Sequence, residues 1–107
     1  MKIQELMREM PNYADSEAIA GVDKTIQFEF SGEDAGSYYL TVRDGAVTTG
    51  EGQADDPNVT INSDSELWKR IATGQENGAV AFMMRKFTAN GELPVLMAMQ
   101  NWFKIPA

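Results

Sequence analysis

Between Thr25 and Val47, apolar and polar residues alternate with a period of two, broken only by residues that favour turns. Ile26, Phe28 and Phe30 fall on one side of an extended chain, and Gln27 and Glu29 on the other. Beyond Gly32 and Gly36, Tyr38, Leu40 and Val42 alternate with Tyr39, Thr41 and Arg43. A helix cannot bury such a pattern on one face, because its faces repeat about every 3.6 residues, whereas strand side chains switch faces at each step. The chain must therefore build a sheet with one buried face and one wet face. Asp44-Gly45 sharpens this reading, since both residue types tolerate the positive φ of a two-residue hairpin. Such a loop pairs Arg43 with Ala46 and Val42 with Val47, which keeps apolar partners on one face. Gly50 and Gly52 mark a bulge or the end of the returning strand. After a polar loop over residues 53–57, Val59 and Ile61 begin a fourth alternating strand.

The period changes to helical on either side of this sheet. Ile3, Leu6, Met7 and Met10 share one helix face, and Pro11-Asn12 stops the helix. Residues 14–20 are expected to form a second short helix ending at Gly21. Ser63-Asp64-Ser65-Glu66 reads as a capping box with Ser63 as the cap, opening a helix that carries Leu67, Trp68, Ile71 and Ala72 to Gly74. Residues 79–84 are apolar all round, so periodicity does not separate helix from strand there. A fifth strand is expected over residues 86–90, followed by a turn at Asn90-Gly91. Pro94 suits the first turn of a last helix, whose stripe is expected to include Val95, Leu96, Met99, Trp102 and Phe103.

Composition narrows the chemistry. The 107 residues are expected to form a single domain over 1–107. Cysteine and histidine are both absent, which removes thiolate nucleophiles, zinc–sulfur sites and the commonest general base. No cofactor is expected. The net charge of −7 argues against nucleic acid as a partner, because phosphates need a basic surface. No apolar run is long enough to span a bilayer, so stable membrane insertion is not expected. The first residues lack a signal-peptide core, and a cytoplasmic location is expected. Glu29, Glu51 and Glu66 sit at polar strand or capping positions without an indicated partner, and serines without a histidine make no conventional triad. The expectation is a protein that is not an enzyme.

The order of these pieces is distinctive. Thr25-Ile26-Gln27-Phe28-Glu29-Phe30-Ser31-Gly32 is followed by Tyr39-Leu40-Thr41-Val42-Arg43-Asp44-Gly45, then by Asp56-Pro57-Asn58-Val59-Thr60-Ile61. Next come Trp68-Lys69-Arg70-Ile71, Ala81-Phe82-Met83-Met84-Arg85-Lys86 and Phe87-Thr88-Ala89-Asn90-Gly91. In joint order and spacing this resembles the sterol carrier protein type 2 family along nearly the whole chain. The resemblance implies an α+β fold, a five-stranded and mostly antiparallel sheet with helices packed on one face. It also implies a hydrophobic tunnel between sheet and helices that takes fatty acids, fatty acyl-CoA, phospholipids or sterols. Two departures stand out. Family members often carry glycine where this chain has Arg85, so the turn there must differ or carry strain. The chain also ends Lys104-Ile105-Pro106-Ala107 rather than in a peroxisomal signal, so a peroxisomal location is not carried over.

The leading functional expectation is thus non-catalytic binding or transfer of a long-chain apolar ligand. The expected lining is Trp68, Ile71, Phe82, Met83, Met84, Phe87, Leu96, Met99, Trp102 and Phe103. Burying about fifteen methylenes gains roughly 12 kcal/mol gross, against roughly 4–15 kcal/mol of association and ordering costs. A carboxylate head group would look for a cation, for which Arg8, Lys24, Arg43, Arg85 and Lys86 are candidates. The alternative is an accessory interaction or dimerisation module with a closed core, whose partner is a second copy or an enzyme.

Overall fold

The computed structural model describes residues 1–104. Its sheet is built from β1 (Lys24–Ser31), β2 (Gly36–Arg43), β3 (Ala46–Glu51), β4 (Val59–Asp64) and β5 (Thr88–Gly91), in the spatial order β3-β2-β1-β4-β5. All neighbours are antiparallel except the central pair β1 and β4. The β2–β3 hairpin has the register its turn dictates. Asp44 and Gly45 both take positive φ, and Val42 pairs with Val47 and Arg43 with Ala46.

Ile26, Phe28, Phe30, Leu40, Val42, Val47, Val59 and Ile61 form the buried face of the sheet. Helices cover that face: α1 (Ile3–Glu9), α2 (Ser65–Ala72), α3 (Gly78–Met83) and α4 (Leu93–Met99). Ile3, Leu6 and Met7 bury one side of α1, as their spacing predicts. Asp34 accepts a hydrogen bond from the Ile3 amide, which supplies the first turn with a partner its own N-cap residue does not offer. A single 3₁₀ turn (Met10–Tyr13) follows at Pro11.

Several local expectations are corrected. Residues 14–20 form no helix: Ala14 bridges to Phe103 and residues 16–20 form successive turns, with Asp15 accepting from the Glu17 and Ala18 amides. The cap of α2 is Asp64, not Ser63, and its Oδ1 accepts from the Glu66 and Leu67 amides at 2.9 and 3.4 Å. The apolar run resolves as helix over Gly78–Met83, with Met84 as its C-cap and Asn77 as its N-cap, whose Oδ1 accepts from the Val80 amide at 3.0 Å. The fifth strand starts at Thr88, and Asn90 and Gly91 pair within it rather than turning. Gly91 has φ +118°, and a Cβ there would lie 2.5 Å from the Asn58 carbonyl oxygen, so only glycine fits this close approach. The last helix stops at Met99, leaving Trp102 and Phe103 beyond it.

The outer face of the sheet is not uniformly wet. Gln27, expected to face solvent, is only 1% exposed. Its side-chain amide donates to the Gly52 carbonyl and to Glu29, and its Oε1 accepts from the Ala54 amide at 2.8 Å. The loop after β3 therefore folds back over the strand, and the buried amide is fully employed in holding it.

Candidate apolar pocket

The helical layer holds a pocket of about 100 Å³ that is lined by helices and the segments joining them and by no residue of the five strands, so it lies within that layer rather than between sheet and helices as expected. Trp68, Ile71 and Ala72 reach it from α2, Gly78, Ala79 and Phe82 from α3, and Leu96, Met97 and Met99 from α4. Met10 and Tyr13 close it from the 3₁₀ turn, joined by Phe87, Gln100 and Phe103. None of these residues is charged, and the wall is overwhelmingly apolar.

Local sequence explains how each wall is placed. Asp64 caps α2 so that Leu67 and Trp68 face inward. Trp68 is then fixed among aromatic rings, 5.2 Å from Phe28, 6.4 Å from Phe30 and edge-on to Phe87 at 5.8 Å between centroids. Phe82 packs on Phe87 at 5.4 Å, which links α3 to the turn before β5. That turn follows from a C-terminal motif in which the Arg85 amide donates to the Phe82 carbonyl and the Lys86 amide to the Ala81 carbonyl. Arg85 takes φ +60°, a left-handed conformation that glycine adopts without strain.

The far side is closed by residues distant in sequence. Phe103 bridges to Ala14, the Asp15 amide donates to the Trp102 carbonyl at 2.7 Å, and the Lys104 amide donates to the Tyr13 carbonyl at 2.7 Å. This seam fastens the segment after α4 to the segment after α1.

Seven of the ten residues expected from sequence line the pocket: Trp68, Ile71, Phe82, Phe87, Leu96, Met99 and Phe103. Three do not. Met83 and Met84 are 80% and 64% exposed on the outer side of α3, and Trp102 is buried in the core beside the seam. Sequence reasoning missed Met10, which helical spacing had already placed on a buried face, and Tyr13, whose carbonyl accepts from the Lys104 amide across the seam, a contact with no local signal. It also missed Ala72 and Ala79, which helical periodicity from Trp68 and Phe82 would have placed nearby.

The basic residues considered as head-group anchors stand elsewhere. Arg43 pairs with Asp23 at 2.9 Å, Lys24 with Glu92 at 3.3 Å and Lys86 with Glu76 at 3.1 Å. Arg8 and Arg85 border other, more open depressions, the one at Arg85 meeting the apolar pocket at Phe87. No helix among the described residues is long and apolar enough to cross a membrane.

Residues 3–104 match the SCP-2 sterol transfer family, nearly the full length of the chain. The chain belongs to that family. Among relatives of this SCP-2 domain, hydroxysteroid dehydrogenase-like protein 2 of Xenopus tropicalis is 24% identical over 92% of the chain. The chain spans only 24% of that protein's length. Among solved structures, the sec-alkylsulfatase Pisa1 from a Pseudomonas species superposes with a TM-score of 0.81 at 16% identity, over 99% of the chain and 17% of its own. Palmitated SCP2L2 from Aedes aegypti superposes with a TM-score of 0.71 at 15% identity, over the whole of both chains. The SCP-2 architecture thus occurs both as a whole chain and as a minor part of larger proteins.

Proposed function

We propose that this domain binds a long-chain apolar ligand, such as a fatty acyl chain or a sterol-like lipid, in the pocket within the helical layer, and that it does so without catalysing a reaction. The observation that carries this reading is the uncharged, Met- and Phe-rich pocket at the centre of the helical layer. Membership of the SCP-2 sterol transfer family and the fold shared with a palmitated protein support it.

At about 100 Å³ the pocket is smaller than the roughly 300–1,000 Å³ of sites that hold drug-sized ligands. Uptake of a long chain therefore requires the walls to part. The lining suits that demand: Met10, Met97 and Met99 are unbranched and repack at low cost. Val80 and Met83 leave α3 exposed, at 51% and 80%, and only its Ala81 is buried, against Val95, Leu96 and Met99 on α4, so α3 is the helical wall least embedded in the core. The test is native mass spectrometry of gently purified protein, followed by titration of delipidated protein with a long-chain acyl probe. A co-purified lipid or saturable binding is expected. A bare mass with no binding of fatty acid, acyl-CoA or sterol would sink the proposal.

One observation favours a second reading, an interaction module. Val80, Met83 and Met84 are exposed on α3, at 51%, 80% and 64%. A tight dimer in sizing chromatography that takes up no lipid would support it.

A further inference from the structure

Folding alone gives Arg85 little to do. It takes φ +60°, a conformation that strains a residue with a Cβ and not a glycine. Its side chain is exposed and forms no ion pair among the described residues. Residues held in such strained conformations gather at ligand sites. Arg85 borders an open depression of about 450 Å³, together with Lys86 and the polar side chains of Ser31 and Asn62. Two carboxylates also line it, and both are engaged. Asp64 caps α2, and Glu29 accepts from Ser37, Gln27 and Gln53. Lys86 is paired with Glu76 at 3.1 Å. Arg85 is thus the uncommitted charge of this depression among the described residues. The depression and the apolar pocket share one wall, Phe87.

We infer that Arg85 receives the anionic head group of the ligand, a carboxylate or phosphate, while the apolar chain runs past Phe87 into the pocket. This inference rests on the proposed binding role and adds the ligand's class, an anionic amphiphile. The pocket itself offers no cation, so a charged group drawn into it would lose its hydration without compensation. At Arg85 the same group stays partly hydrated and gains charge-assisted hydrogen bonds from a guanidinium, whose fork matches a carboxylate or phosphate. Phe87 turns aside to let the chain pass, one instance of the parting of walls that any long chain demands. The strain at position 85 then serves binding rather than folding.

The test compares hexadecanoate, hexadecyl phosphate and hexadecanol, each displacing a fluorescent long-chain probe from wild type, Arg85→Gln and Arg85→Lys. Both anions should bind Arg85→Gln roughly five-fold more weakly than wild type, the upper scale of a partly exposed ion pair. Arg85→Lys should recover most of that loss, and hexadecanol should bind all three proteins alike. Added salt should weaken hexadecanoate in wild type and not in Arg85→Gln. The Arg85 Nε–H resonance should shift with hexadecanoate and not with hexadecanol. Anions that bind Arg85→Gln as tightly as wild type, or an equal loss of anions and hexadecanol, overturn the inference and leave apolar binding intact. Saturable shifts of that resonance with acetate or inorganic phosphate alone would show a site for free anions and overturn it too. Failure of all three compounds to displace the probe, or a probe that never binds, removes the binding role and the inference with it.

Discussion

Arg85 closes α3 with the same pair of backbone hydrogen bonds with which Gly74 closes α2. At Gly74 the amide donates to Ile71 and the next amide, Gln75, to Arg70; at Arg85 the pair runs to Phe82 and then from Lys86 to Ala81. Both residues take positive φ, +81° and +60°, and only one is a glycine. The arginine side chain is exposed and holds no ion pair within reach among the described residues, so little is gained from it in return. Replacing Arg85 with glycine is expected to stabilise the protein by about 1 kcal/mol, the scale of left-handed strain on a residue with a Cβ. A melting curve should move up by a few degrees; an unchanged or lower midpoint would mean that Arg85 contributes something else at this turn.

Ala72 offers a way to fill the pocket without cutting into the core, because it is half-buried and lines the cavity from the last turn of α2. Ala72→Phe is expected to weaken a long-chain acyl probe by about ten-fold or more, the effect of overfilling a site by one to a few kcal/mol. The melting midpoint should shift far less than the affinity. Undiminished probe binding would place the ligand somewhere other than this pocket.

Asp64 and Gly32 act on one cap. The carboxylate that satisfies the start of α2 occupies the space where a Gly32 Cβ would stand, 2.3 Å from its Oδ2. Asp64→Ala should cost about 1 kcal/mol in denaturant unfolding, as for other N-cap losses. Gly32→Ala should also destabilise, through the same displaced carboxylate and its own φ of +93°. The double variant should lose less than the sum, because the cap can be lost only once. Strict additivity would show that the two residues do not share it.

Asp34 links stability to acid pH. The hydrogen bond from the Ile3 amide, assisted by Lys69, holds its carboxyl below the usual range, although partial burial opposes this. A carboxyl whose folded value lies below its unfolded value contributes stability above the ordinary value near 4, and that contribution disappears as pH falls through the folded value. Wild type and Asp34→Asn should therefore differ in melting midpoint at neutral pH and converge in strong acid. Parallel curves down to the lowest pH would show that the carboxylate is not engaged in the folded state.

How far these features could be read beforehand depended on how local their causes are. The hairpin at Asp44-Gly45 was legible to the residue, because turn chemistry and alternation each demand the same register. So was the burial of Ile3, Leu6, Met7 and Met10, which helical spacing alone places together. The segment around Phe82 was open, since an all-apolar run has no period to read, and its helix is decided by the Asn77 cap and the turn at Arg85. The misplacement of Trp102 had a different cause. An apolar stripe continued past Met99, but the chain leaves the helix there to pair Phe103 with Ala14, a partner remote in sequence. Gln27 fails in the same way: alternation assigns it to the wet face, and a loop that begins after Glu51 returns to cover it.

The seam between residues 13–15 and 102–104 bears on time rather than affinity. It pins the end of α4 to the opposite side of the domain through Asp15, Lys104 and the Ala14–Phe103 bridge. How tightly an occupant is held depends on the walls, Phe82, Leu96 and Met99 among them. On the proposed binding role, how long it stays is expected to follow how often that strip of backbone lets go. Two homologues with identical walls and different fastenings would share an equilibrium constant and differ in residence time, as related complexes commonly differ in dissociation rate.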